Sequence, residues 1–178
     1  MILANPIVGK RVYLRPLTDQ DATEEYCGWL NDKEVNRYLA TKSATIPELR
    51  NYIVTKNAQA DAIFLGINLT ANNQWIGTIK LEPINWKEKQ ATIAIMLGDK
   101  AHWGQGLGPE AMQLFMDYAE RTFGITEFEL GVRAQNEAAL RAYQKIGFQE
   151  IKREFHAIQD GDAWLDQVTM VRKHSHIK

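Results

Sequence analysis

Two neighbouring stretches decide the architecture: Gln90-Ala91-Thr92-Ile93-Ala94-Ile95-Met96-Leu97-Gly98, and then His102-Trp103-Gly104-Gln105-Gly106-Leu107-Gly108-Pro109-Glu110. In the first, Ala91, Ile93, Ile95 and Leu97 share one face of a strand, with Thr92, Ala94 and Met96 on the other. Both faces are largely apolar, which predicts a central strand covered on both sides. After Gly98 the period turns helical. Leu107, Ala111, Leu114, Phe115 and Tyr118 follow the i, i+4, i+7, i+8, i+11 spacing of a buried stripe, with Glu110 and Asp117 toward the opposite face.

Working upstream, Ile63, Leu65, Ile67 and Leu69 alternate along a strand, Ala71-Asn72-Asn73-Gln74 makes a turn, and Trp75 to Leu81 returns. A polar turn at Asn85 to Lys89 then leads into the central strand, so this region is an antiparallel meander. Nearer the start, Arg11 to Arg15 reads as a short strand ending at Pro16. Thr18 or Asp19 caps a helix to about Trp29, Asn31-Asp32 caps a short one carrying Val35, Tyr38 and Leu39, and a further helix starts near Pro47. Downstream, Phe128, Leu130 and Val132 mark a strand, and Asn136 to Ile146 a helix closed by Gly147. Gln149 to Arg172 reads as two strands around a turn at Asp160-Gly161. The fold class is α/β in the α+β sense: a mixed, not all-parallel, sheet in a single domain spanning 1–178.

Composition narrows the function. Of 178 residues, 45% are hydrophobic and 24% charged, the profile of a soluble globular protein. A net charge of -1 gives no reason to expect broad nucleic-acid or anionic-membrane binding. Cys27 is the only cysteine, which excludes an intramolecular disulfide and suits a reducing compartment. The start lacks the basic region and apolar run of a signal peptide, and no stretch approaches a transmembrane span, so a cytoplasmic protein is expected. His174 and His176 read as a tail, His102 and His156 stand without ligand spacing, and no metal is expected.

The chemistry lies in the glycines. A helix start presents free backbone N–H groups and the positive end of its dipole, and glycines let a phosphate approach them. A diphosphate-bearing ligand is the physical expectation; a tight turn with no ligand is the alternative. A P-loop is excluded, because the one Gly-Lys pair, Gly9-Lys10, is followed by Arg11. A dinucleotide fingerprint fits poorly: Gly104, Gly106 and Gly108 run G-x-G-x-G, Pro109 takes the place of the third small residue, and the meander is wrong for a doubly wound sheet.

Trp103-x-x-Gly106-x-Gly108 resembles the acetyl-coenzyme A motif of the GNAT superfamily, Q/R-x-x-G-x-G/A, with Trp103 in place of the usual Gln or Arg. The continuation to Glu110-Ala111 is similar to the Rim-type ribosomal-protein acetyltransferases. Asn136-Glu137-Ala138-Ala139-Leu140-Arg141-Ala142-Tyr143-Gln144-Lys145-Ile146-Gly147-Phe148 resembles the family's N-x-x-A-x-x-x-Y-x-K-x-G-F signature at every stated position. Taken singly, each match has a structural reading: Asn136 as a cap, Tyr143 in the core, Gly147 as a terminator. Together and in order they carry the resemblance.

That resemblance implies a mostly antiparallel central sheet of about six to seven strands flanked by helices, with two splayed parallel strands. Those would be the strands around Ile93 to Leu97 and Phe128 to Val132. Acetyl-CoA would be the co-substrate. Ile95, Met96 and Leu97 would pair with its pantetheine arm, Gln105, Gly106, Leu107 and Gly108 would hold its diphosphate, Asn136 would reach the pantetheine, and Trp103, Gly104 and Tyr143 would also contact the cofactor. A primary amine would accept the acetyl group: a small amine or amino sugar, or a protein N-terminus as in Rim-type enzymes. Tyr143 is the candidate general acid, since a phenol with pKa about 10 stays protonated at neutrality. The central strand contains no acid, so Glu82 on the preceding strand is the nearby candidate base, with a water chain or an already neutral acceptor as the alternative. Trp29, Asp32 and Glu34 are candidate acceptor contacts. A homodimer is a family-level expectation, and a non-catalytic CoA-binding regulatory module is the rival reading.

Overall fold

The computed structural model describes residues 3–160 and 163–173. Eight strands form one sheet: β1 (Ile7–Val8), β2 (Val12–Pro16), β3 (Ile63–Leu69), β4 (Trp75–Asn85), β5 (Gln90–Leu97), β6 (Glu127–Arg133), β7 (Gln149–Asp160) and β8 (Ala163–Lys173). Their spatial order is β1-β2-β3-β4-β5-β6-β8-β7. Four helices accompany them: α1 (Glu24–Asn31), α2 (Ile46–Ala58), α3 (Leu107–Phe123) and α4 (Glu137–Lys145). The expected count of six to seven becomes eight because β1 pairs only Ile7 and Val8 with Leu14 and Tyr13, too short a run to show alternation.

Every neighbouring pair is antiparallel except β5 and β6. These two are paired in parallel only at Gln90–Glu127, Ala91–Phe128 and Thr92–Glu129. Beyond them β5 stays with β4 as far as Leu97–Gly77, and β6 stays with β8 as far as Arg133–Gln167. Each strand follows its antiparallel partner, so the sheet opens into a V between Ile93–Leu97 and Leu130–Arg133.

The opened strand divides two cores. On one side the α3 stripe, with Leu107, Ala111, Phe115 and Ala119, joins Val12, Leu14, Ile93 and Phe128. On the other, α1 and α2 bring Tyr26, Trp29, Leu49 and Ile53 against Phe64, Trp75 and Met96. Central placement of β5 is therefore observed, but Ala94 on its α1–α2 face is exposed, because a cavity lies over it.

Local chemistry explains where the N-terminal helices depart from expectation. Thr18 caps only a 3-10 turn, Asp19–Asp21, because the Asp21 carboxylate accepts the Thr18 N–H at 2.7 Å and pairs with Arg15 at 2.7 Å. Thr23 then restarts the chain as the cap of α1, its hydroxyl accepting the Tyr26 N–H at 3.3 Å. Asp32 accepts the N–H groups of Glu34 and Val35 at 2.8 and 3.3 Å and opens the 3-10 turn Val35–Tyr38. Thr45 and Glu48 form a capping box at α2, with Pro47 in its first turn. β4 runs on to Asn85 through a register shift between Leu81 and Ile84. The Gly161 turn and the His174–His176 tail lie outside the described residues.

Candidate active site

The glycine turn feeds α3 as the sequence predicts. Gly106 is its N-cap in the left-handed region, φ 76°, where a Cβ is disfavoured. With no side chain there, the first amides of α3 have no side-chain cap. A Cβ built on Gly104 would meet nothing within 4 Å, and on Gly106 only Arg11 Nη2 at 3.7 Å. The surface of the turn is thus open at the positive helix end, which fits a bulky anion. At Gly108 a Cβ would meet Leu97 Cδ1 at 3.4 Å and Ile95 Cδ1 at 3.7 Å, so the helix start packs closely on β5. Leu107 points into the core, 3% exposed.

The neighbouring side chains brace the turn. Trp103 Nε1 donates to the Leu97 carbonyl at 2.9 Å, tying the loop to the end of β5, and Gln105 Nε2 donates to the Ala101 carbonyl at 2.9 Å. The largest brace is Arg11, which the sequence reading did not single out. Its backbone N–H and Nε donate to the two Glu110 oxygens at 2.8 and 2.6 Å, and Nη1 donates to the Gln105 carbonyl at 3.0 Å. Nothing in a local pattern signals this, because the partners are 99 and 94 residues apart.

Tyr143 is positioned by the end of α4. The Phe148 N–H donates to the Tyr143 carbonyl at 3.1 Å and the Gly147 N–H to the Gln144 carbonyl at 3.0 Å, with Gly147 at φ 93°. This is a Schellman closure, and its apolar contact is the Tyr143–Phe148 ring pair, centroids 6.2 Å apart. The ring packs on the main core, and burial pushes the phenol up to about 12. Asn136 caps the other end of α4, its Oδ1 accepting the Ala139 N–H at 3.3 Å, which leaves the amide NH₂ for a ligand.

Glu82 is placed differently from a base. It is ion-paired with Lys56 and, at 2.8 Å, with Lys80. Burial raises its pKa, but the two lysines outweigh this and hold the carboxyl below its usual range. A carboxylate so stabilised is a poor proton acceptor. The three candidate acceptor residues also stand elsewhere. Trp29 is buried at 9% exposure, its ring lying where a Cβ on Gly98 would sit 2.0 Å away. Asp32 and Glu34 both pair with Lys100, at 2.8 and 2.9 Å, and so fasten the 3-10 turn to the segment after β5.

A cavity of about 490 Å³ lies over Ala94 and Met96, lined also by Tyr26, Tyr52, Phe64 and Lys80 but by none of those three residues. These residues lie in α1, α2, β3 and β4, separated in sequence and brought together only by the sheet. Among the described residues no cluster of three or more His, Cys, Asp or Glu stands ready to hold a metal.

A parallel pair that parts beside a glycine-capped helix start is the framework expected of a coenzyme A-dependent acyltransferase. The chain belongs to the GNAT acetyltransferases: residues 11–149 match the family described as the acetyltransferase (GNAT) domain. It is 25% identical over 158 residues to the human alpha/beta-tubulin-N-acetyltransferase 9, covering 82% of this chain and 75% of that protein. The fold is that of the Vibrio cholerae spermidine N-acetyltransferase in complex with CoA and spermine, TM-score 0.85 at 18% identity, over 94% of this chain and 98% of the other. It is also that of the ribosomal L7/L12 alpha-N-protein acetyltransferase RimL with coenzyme A, TM-score 0.84 at 19% identity, over 96% and 98%. The protein is an N-acetyltransferase with acetyl-CoA as its co-substrate.

Proposed function

We propose that this enzyme moves the acetyl group directly to a primary amine, with Tyr143 as general acid and the cavity over Ala94 as acceptor site. The observation that carries the reading is the V between β5 and β6, which opens toward the strand ends that lead into the glycine turn before α3 and into α4, the helix of Tyr143. The turn from Trp103 to Gly108 holds the diphosphate on main-chain N–H groups. Backbone groups of Ile95, Met96 and Leu97, unpaired with β6, take the pantetheine, and the Asn136 amide donates to it. An N–H on the same strand stabilises the oxyanion of the tetrahedral intermediate.

As nitrogen attacks and the carbon–sulfur bond breaks, Tyr143 gives its proton to the departing sulfur. Burial weakens the phenol as an acid, but the same dry surroundings raise the basicity of a thiolate formed there, so donor and acceptor shift together. The amine enters neutral, and its proton leaves to solvent after attack. Glu82, held by two lysines, is assigned no proton transfer. The reading includes a cytoplasmic protein, and a small molecule in preference to a protein N-terminus as acceptor.

Replacing Tyr143 by Phe removes one oxygen and keeps the ring on Phe148. Turnover at saturating substrates should fall roughly 10²- to 10⁴-fold, with acetyl-CoA affinity unchanged by calorimetry. Unchanged turnover would remove Tyr143 from the acid role.

A further inference from the structure

We propose, building on that reading, that the acceptor is an amine carried on a bulky apolar or aromatic body with one carboxylate, received by Lys80, and not a polyamine. Most of the cavity wall is apolar or aromatic, including Tyr26, Leu49, Tyr52, Phe64 and Met96. Only two formally charged side chains line it, Lys80 and Glu48. A polycation needs several carboxylates along its length to replace its hydration, and one is present. Glu48 is also engaged, its Oε2 accepting from the backbone and hydroxyl of Thr45 at 2.8 and 2.7 Å.

The positive side of the balance is larger. Lys80 donates to Glu82 Oε2 at 2.8 Å and to the Tyr52 hydroxyl at 3.0 Å. An ammonium has three donors, so one remains for a ligand. Lys56 and Lys80 together share the single carboxylate of Glu82, which leaves one positive charge on the trio.

A second cation stands on the same sheet face. The register pairing Thr92 with Glu129 puts Gly131 and Arg133 on the side of Ala94 and Met96. Arg133 is 8% exposed, and its Nη1 has no hydrogen-bond partner among the described residues. The 3-10 turn before the cavity rim reaches this strand end, since the Tyr38 hydroxyl donates to the Gln135 carbonyl at 3.3 Å. Glu129 and Glu127, the acids of β6 on the same face, are four and six residues back along the strand, about 13 and about 20 Å away. An acceptor entering here meets an excess of positive charge around an apolar pocket.

The test compares phenylalanine, phenethylamine, glycine and spermidine as acceptors, reading kcat/KM from thiol release, with acetyl-CoA binding measured separately by calorimetry. Phenylalanine should exceed glycine, which lacks the ring, and phenethylamine, which lacks the carboxylate, each by about tenfold or more. Spermidine should be the poorest. Lys80→Met should lower kcat/KM for phenylalanine about tenfold or more and so abolish its preference over phenethylamine. Spermidine turned over as well as phenylalanine overturns the inference while leaving the acetyl-transfer reading intact. So does a Lys80→Met effect equal on both aromatic amines. Failure to bind acetyl-CoA, or binding with no turnover of any amine, sinks both.

Discussion

At the scale of single residues, Arg11 does the work that a longer motif would spread over several side chains. Its guanidinium and backbone N–H together hold Glu110 in the first turn of α3, while Nη1 holds the carbonyl of Gln105 inside the glycine turn. Removing it leaves the turn formed but its amides less firmly aimed. Arg11→Ala should raise KM for acetyl-CoA about tenfold with kcat nearly unchanged, which steady-state kinetics would show. A fall in kcat with KM constant would contradict this. Glu82 makes the second prediction at this scale. Its folded pKa lies below the usual 4.5, so its pairing stabilises the protein above that value and is lost as pH falls through the depressed one. Glu82→Gln should cost about 1–3 kcal/mol near neutrality, with the difference from the parent vanishing in acid, as urea unfolding across pH would report. Acetyl transfer in that variant should persist if, as proposed, neither lysine nor the carboxylate moves a proton in the reaction.

Among the elements, α3 follows the glycine turn and supplies the packing that fixes it. Phe115 is fully buried at the centre of its stripe. Phe115→Ala should destabilise by about 3–5 kcal/mol, with circular dichroism showing the lower melting temperature. This helix was legible because its periodicity is local: one face, one spacing, a glycine start. The helix ending at Gly147 was legible for the same reason, and with it the position of Tyr143. The 3-10 break at Asp21 was not, because it depends on Arg15 reaching across from another element. The same limit explains the acceptor side. Trp29, Asp32 and Glu34 form a suggestive string in sequence, yet a ring needs space that Gly98 alone provides, and the two acids find Lys100 nearly seventy positions away. The cavity that does exist draws one or a few side chains from each of several strands and helices, so no window of sequence contains it.

For the molecule as a whole, the opening in the sheet makes ligand binding a structural event. Beyond Thr92 and Glu129, strands β5 and β6 no longer pair with each other, and under the proposed reading a pantetheine lying between them would bond the facing main-chain groups. Acetyl-CoA at about a hundred times its Kd should add about 2.7 kcal/mol to stability, visible as a raised melting temperature. Amide hydrogen exchange should slow selectively at Ile95, Met96 and Leu97, and an even slowing over all strands would argue against the V as the binding place.

Among the described residues, the three rungs at Gln90, Ala91 and Thr92, continued by the Thr126 and Glu127 N–H groups on the Lys89 carbonyl at 2.8 and 3.3 Å, are the direct backbone stitching between the meander and β6 with its C-terminal hairpin. Load pulling those two portions apart is therefore borne by a short seam from Lys89 to Thr92, and α3, packed across one side, becomes the strap that limits how far the jaws can spread.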